Sequence, residues 1–179
     1  RVAEAFAEVV DAKSPFTFQH SQRVADLARD MAERLGSPPA IVRCAYRAGL
    51  LHDIGKLGVS NRILDKAGPL TPEERPLVGR HPLLTWTILE RVEVFTPIAR
   101  LASVHHERLD GAGYPWGIAA PALDRLDRAL AVCDIYEALT ADRPYRSGME
   151  PAQALGILRK LQDGAVDAEL VEVLEGMVG

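Results

Sequence analysis

Apolar residues recur at helical spacing along most of the 179-residue chain, and no stretch alternates apolar and polar in the manner of a strand. Val2, Phe6, Val9 and Val10 line one side of a short helix over residues 1–12, which Ser14-Pro15 interrupts. Val24, Leu27, Ala28, Met31 and Leu35 predict a second helix from about Thr17 to Leu35, with Gly36 as its stop. Ser37-Pro38-Pro39 is a turn that opens a third helix running to about Ile54. Residues 55–70 read as a loop with one helical turn at Ile63-Leu64, and Gly55 as a left-handed helix stop. Thr71-Pro72-Glu73-Glu74 is a capping box. The helix it opens meets Pro76, Gly79 and Pro82, too many breakers for one rod, so a short piece to about Gly79 and a new start at His81-Pro82 are expected. Helices over 96–107, 124–141, 151–161 and 167–178 complete the chain, with the glycine-rich loop Leu109–Pro115 among them. The expected fold class is all-α: a compact helical bundle of about seven helices in one domain spanning residues 1–179.

Composition narrows the function classes. The apolar fraction is 47% and the charged fraction 26%, ordinary for a globular protein with a real core. The net charge of −4 advertises no basic surface for a nucleic-acid duplex. Cys44 and Cys133 sit in apolar helical stretches and read as reduced, buried small hydrophobes. No apolar run approaches a membrane span and there is no signal peptide, so the expected compartment is the cytoplasm, with no membrane contact by this segment. The chain begins at Arg1, which suggests a fragment of something longer.

The chemistry concentrates around Leu51-His52-Asp53-Ile54-Gly55-Lys56. An imidazole beside a carboxylate, flanked by apolar residues, places two divalent-metal ligands at a largely buried helix end, where buried charge needs a partner. Lys56 lies three residues past Asp53, within reach of the same cavity. The five histidines, His20, His52, His81, His105 and His106, all fall near helix ends or on apolar faces. Asp134 sits among Val132, Cys133 and Ile135. Five imidazoles and two buried carboxylates suffice for two metals with open positions, and mixed imidazole and carboxylate donors suit iron, manganese or zinc. On a helix His105 and His106 would point about 100° apart. They would then address different parts of a two-metal cleft, or one would bind while the other supports it. Two metals a few ångströms apart suit phosphodiester cleavage. Each residue alone has an ordinary structural explanation; the joint pattern is what points to metal chemistry.

The sequence resembles the HD-GYP domain family, bacterial members of the HD phosphohydrolase superfamily that hydrolyse cyclic di-GMP. The resemblance runs from about residue 13 to residue 170. It rests on His20-Ser21-Gln22-Arg23-Val24, Leu51–Lys56, Ile63-Leu64-Asp65-Lys66, Leu70–Glu74, His81-Pro82, His105-His106-Glu107-Arg108-Leu109-Asp110-Gly111-Ala112-Gly113-Tyr114-Pro115, Asp134–Thr140 and Arg143-Pro144-Tyr145-Arg146. The resemblance implies a phosphodiesterase that opens cyclic di-GMP to linear pGpG, or on to GMP, with a metal-bridged hydroxide. It implies two divalent ions, iron or manganese. His20, His52, Asp53 and Asp134 would hold one, and Asp53 would bridge to a second held by His81, His105 and His106. Lys56, Arg143 and Arg146 would contact substrate phosphate, with Lys56 also the nearest candidate to assist proton transfer. Gly113, Tyr114 and Pro115 would shape the substrate pocket and contact neighbouring domains.

Such domains usually follow a sensory or receiver module. Diguanylate cyclase (GGDEF) domains or a second copy of the chain are the partners implied. Two other readings stand beside this one: a cyclic dinucleotide receptor or partner-binding module without turnover, and a phosphodiesterase for a different cyclic dinucleotide.

The sequence departs from the family pattern in places. Phe16 stands where some members carry a glutamate that supports a third metal, so two metals are expected. Glu137 replaces a commoner aspartate, and Thr85 a common glycine. Pro76 and Gly79 break the helix before His81.

Overall fold

The structure, a computed structural model, describes residues 2–13, 19–66, 68–142, 147–162 and 164–179. Among these there are ten α-helical segments, three short 3₁₀ turns and no strand, so the all-α expectation holds. The segments are α1 (Val2–Asp11), α2 (His20–Arg34), α3 (Pro39–Leu51), α4 (Asn61–Leu64), α5 (Glu74–Gly79), α6 (His81–Glu90), α7 (Thr96–Ser103), α8 (Arg125–Thr140), α9 (Pro151–Leu161) and α10 (Ala168–Val178). Their number exceeds seven because the chain between α3 and α7 is cut into short pieces. The predicted capping box is present: Thr71 N–H donates to Glu74 Oε2 at 2.8 Å, and Glu74 N–H to Thr71 Oγ1 at 3.3 Å. The predicted break between Gly79 and His81 is also present.

Helices α2 and α3 form a hairpin joined through Gly36, whose φ of 70° reverses the chain. They pack closely because Gly49 presents no side chain to α2; a Cβ there would lie 2.5 Å from Ala25 Cα. Helix α8 lies across α2, α7 packs on α3 and α8, and α9 and α10 close the far side of α8. The core fills the space between them with Val24, Met31, Leu50, Leu51, Leu130, Leu158, Leu170 and Leu174, all under 3% exposed. Each fully buried leucine of this kind stabilises the fold by about 1.5–3 kcal/mol.

The sequence reading needs four corrections. The buried side of α1 carries Ala3, Ala7 and Val10, whereas Val2, Phe6 and Val9 are exposed. Both stripes have helical spacing, and the small alanines permit the closer approach to α2 and α3. Helix α3 ends at Leu51 and α7 at Ser103, so His52, Asp53, His105 and His106 lie just past helix ends. Gly55 does not adopt a left-handed conformation but enters a 3₁₀ turn, Ile54–Gly58. It is glycine for a different reason: a Cβ at this position would lie 1.9 Å from the His81 carbonyl oxygen.

Gly49→Ala forces the α2 and α3 backbones apart. The expected cost is about 1–3 kcal/mol, read as a lower urea midpoint with an unchanged slope. An unchanged midpoint would show that the helices do not need this contact.

Candidate metal centre

Every metal ligand expected from the sequence converges on one buried centre. His20 opens α2, His52 and Asp53 follow α3, His81 opens α6, His105 and His106 follow α7, and Asp134 lies within α8. Six of the seven are buried, and His106 is half-buried. Donor atoms of His20, His52 and Asp134 lie within 4.8 Å of one another, as do those of His81, His105 and His106, and those of His52, Asp53 and His105.

Asp53 stands between the two histidine sets. Its Oδ2 lies 3.5 Å from His20 Nε2 and 3.4 Å from His52 Nε2. Its Oδ1 lies 3.2 Å from His81 Nε2 and 3.9 Å from His105 Nε2. Asp134 Oδ1 completes the first set, 3.3 Å from His20 Nε2 and 3.6 Å from His52 Nε2. Imidazole nitrogens also face each other directly, His20 to His52 at 3.2 Å and His81 to His105 at 3.2 Å. Lys56 Nζ donates to Asp53 Oδ2 at 2.5 Å.

The far nitrogens explain why the near ones all point inward. His52 Nδ1–H donates to Gly49 O at 2.7 Å, His81 Nδ1–H to Val78 O at 2.9 Å, and His105 Nδ1–H to Ala102 O at 2.9 Å. In each case the acceptor is three residues back, in the last turn of the preceding helix, where carbonyls run out of in-helix partners. This arrangement fixes the ring and turns Nε2 to the centre. His20 instead begins its helix. Its Nδ1 pairs with Glu137 Oε2, whose other oxygen accepts Arg23 Nε–H at 2.6 Å.

Thr85, fully buried, ties the two sets together. It donates to His52 O at 2.9 Å and accepts Gly55 N–H at 3.0 Å. The roles of Glu137 and Thr85 were not assigned from sequence. The only signal was that each departs from the commoner family residue.

The donor set fits divalent ions. Asp53 Oδ1 is buried and has no hydrogen-bond partner among the described residues, which is costly for a carboxylate oxygen. A cation between Oδ1 and the imidazoles of His81 and His105 would satisfy it. His20, His52, Asp53 and Asp134 could hold one ion, and Asp53, His81, His105 and His106 a second.

The two sets differ in protonation. Burial opposes a charge on His20, but hydrogen bonds to Asp134, Asp53 and Glu137 outweigh it and hold the ring well above its ordinary value. Burial likewise opposes charge on His52, yet the Asp53 and Asp134 carboxylates raise it to about 9. Burial pushes His106 down to about 4, and burial together with the neighbouring imidazoles pushes His105 well below its ordinary value. Asp53 and Asp134 stay well below the usual carboxylate range, because Lys56 and the histidines overcome burial at the first, and His20 and His52 do so at the second.

Of the expected substrate contacts, Lys56 is in place beside Asp53, and the Gly113–Pro115 segment lies beside His106. The Tyr114 ring sits 4.7 Å from the His106 ring, centre to centre. Arg143, Arg146 and Phe16 lie outside the described residues. No described helix is long and apolar enough to cross a membrane.

Comparison with known proteins places the chain among HD-domain proteins. The family model described as HD domain matches residues 4–170. A 3'3'-cGAMP-specific phosphodiesterase of Vibrio cholerae is 43% identical over 97% of this chain and 38% of its own length. A cyclic di-GMP phosphodiesterase of Pseudomonas aeruginosa is 44% identical over 78% of this chain and 34% of its own. A crystal structure of a cyclic GMP-AMP specific phosphodiesterase from V. cholerae superposes with a TM-score of 0.62 at 39% identity, covering 98% of this chain and 39% of that one. The chain thus spans about two fifths or less of the length of these relatives.

Two outcomes follow for metal binding. At pH 7 the His20 and His52 rings carry protons that an incoming ion must displace, so binding at that set releases at least one proton and strengthens as pH rises. His105 and His106 are already neutral and add no such dependence near neutrality. Calorimetric titration with manganese in buffers of different ionisation enthalpy reads the release directly; identical heats in all buffers would contradict it. Glu137→Ala removes the acceptor that orients His20, and metal affinity should fall about 10–100-fold with the melting transition retained. Equilibrium dialysis measures this, and wild-type affinity would rule out the orienting role.

Proposed function

Because the chain belongs to the HD domain family and is of the HD-GYP type, we propose that it is a metal-dependent phosphodiesterase domain that hydrolyses cyclic dinucleotides. Cyclic di-GMP opened to linear pGpG is the first reading. The observation that carries the proposal is Asp53, a buried carboxylate whose two oxygens face two separate histidine sets, one oxygen without a hydrogen-bond partner among the described residues. A relative named for 3'3'-cGAMP supports that dinucleotide as a second substrate reading.

Two divalent ions held by these sets would polarise the phosphodiester and make water a competent nucleophile near neutral pH. The chain's own part is arrangement. The carbonyls of Gly49, Val78 and Ala102, with Glu137, lock four imidazoles in one orientation. Asp53 sets the spacing of the two sets. Lys56, about one fifth exposed, places a cation at the edge of the centre beside Asp53. There it can meet a substrate phosphate oxygen and stand within reach of the leaving ribose oxygen. The slow step of such a reaction develops negative charge, and a fixed cation beside it lowers the barrier. Iron or manganese is the metal pair proposed.

The test is product formation from cyclic di-GMP and from 3'3'-cGAMP, side by side, by chromatography on protein loaded anaerobically with iron or with manganese. Linear dinucleotide from either, lost with a chelator and in His52→Ala and Asp53→Ala, is the expected result. Folded, metal-loaded protein that yields no product from either would overturn the proposal and favour a receptor.

A further inference from the structure

Glu107 follows directly on His105-His106, yet its side chain turns away from the histidine centre. It is 4% exposed, and each of its carboxylate oxygens accepts a backbone amide from the same loop: Trp116 N–H on Oε1 at 2.8 Å and Ile118 N–H on Oε2 at 2.9 Å. A carboxylate that takes two backbone amides makes a strong and directional link.

The loop between is shaped to return over the histidines. Gly111 and Gly117 adopt φ of 75° and 67°, a conformation that side chains disfavour. Gly113 presses against the backbone of the segment that carries the ligands; a Cβ there would lie 2.5 Å from Glu107 Cα and 2.6 Å from His106 O. Tyr114 N–H donates to His106 O at 3.2 Å. The Tyr114 ring then lies against the His106 ring with 41% of the residue still exposed.

We propose that Glu107 is the positioning residue of this loop. It holds Trp116 and Ile118 so that Tyr114 stands as an aromatic wall beside His106, where a purine of the bound dinucleotide can stack. The identity of that ligand rests on the proposed function; the anchoring itself does not. The loop has a second, independent anchor at its other end, with Leu109 N–H on Ala165 O at 3.3 Å and Asp110 N–H on Gly164 O at 2.8 Å. Loss of the Glu107 link therefore releases the Trp116–Ile118 arm that backs Tyr114, leaving the loop attached through Leu109, Asp110 and the Tyr114 amide.

The experiment compares wild type, Glu107→Gln and Glu107→Ala, all loaded with manganese. Glutamine keeps one acceptor oxygen and turns a donor toward the other amide, so it should fall between the other two. Amide hydrogen exchange at Trp116 and Ile118 should speed up in both variants, while bound metal stays at the wild-type content. KM for the dinucleotide should rise about tenfold in Glu107→Gln, the order expected for losing one charge-assisted hydrogen bond, and further in Glu107→Ala. The kcat should stay within about threefold, which marks lost binding with chemistry intact. Unchanged exchange, or loss of metal and kcat at constant KM, would overturn the assignment. If wild type cleaves neither dinucleotide, the proposed function fails on its own account. The Glu107 assignment is then read from dissociation constants for cyclic di-GMP, and equal affinity in wild type and Glu107→Gln, or no binding to either, overturns it.

Discussion

A carboxylate buried in the middle of a protein must be neutralised, and in this chain Asp53 sets that problem for everything around it. It is 1% exposed, and among the described residues only Oδ2 meets a permanent cation, at Lys56. Its other oxygen has no hydrogen-bond donor among the described residues. Asp134 adds a second carboxylate beside it, 8% exposed. Two such charges are tolerable only if positive charge comes from within. Protons on His20 and His52 supply part of it when no ion is bound, which is why burial fails to push those rings down. Cations in place of protons would supply all of it. The same carboxylates that stabilise the protonated form of one histidine set are therefore what would draw metal into the centre.

The fold answers a geometric demand that follows from this. Imidazoles must come from several directions with Nε2 inward, and each needs something to hold Nδ1. Three of them use one solution: the helix stops, the chain turns, and the histidine reaches back to a carbonyl three residues earlier. The short helices and frequent breaks between Leu51 and His106 are the cost of placing three rings this way. Gly79, read in the sequence simply as a breaker, lies where a carbonyl of α5 must be left for His81. His20 is the exception that supports the rule. It opens a helix and pairs its Nδ1 with Glu137 from 117 residues away instead.

This also explains what could and could not be read in the sequence. His52-Asp53 was legible because two ligand types stood between apolar residues that had to be buried. The breaks around His81 were legible because Pro76, Gly79 and Pro82 are local signals. Helix ends at Leu51 and Ser103 were not, since the apolar spacing continues past them and only the histidines' own hydrogen bonds show that the helix has stopped. Gly55 looked like a helix cap because a local reading has no access to the His81 carbonyl packed on it. The exposed face of α1 was misread because two stripes had equal spacing and only packing chooses between them. Glu137, Thr85 and Glu107 carry contacts with distant residues or loop amides that no periodicity encodes.

The centre that results is not symmetric about Asp53. On one side His20 and His52 lie among carboxylates, close to Arg23 and Glu137, and favour the protonated state. On the other side burial favours the neutral forms of His105 and His106, and the segment that carries them runs straight into Glu107 and the loop that Glu107 anchors. Tyr114 stands over this second side alone. Charge on the first side is thus set by carboxylates, whereas the shape of the second is set by backbone hydrogen bonds of a loop. Under the proposed function, changes in loop sequence would alter which dinucleotide fits without disturbing the charge balance at Asp53. The cluster around Asp53 and the loop that carries Tyr114 meet at the consecutive residues His105, His106 and Glu107, so side chains on that loop are placed independently of the carboxylates that set the charge.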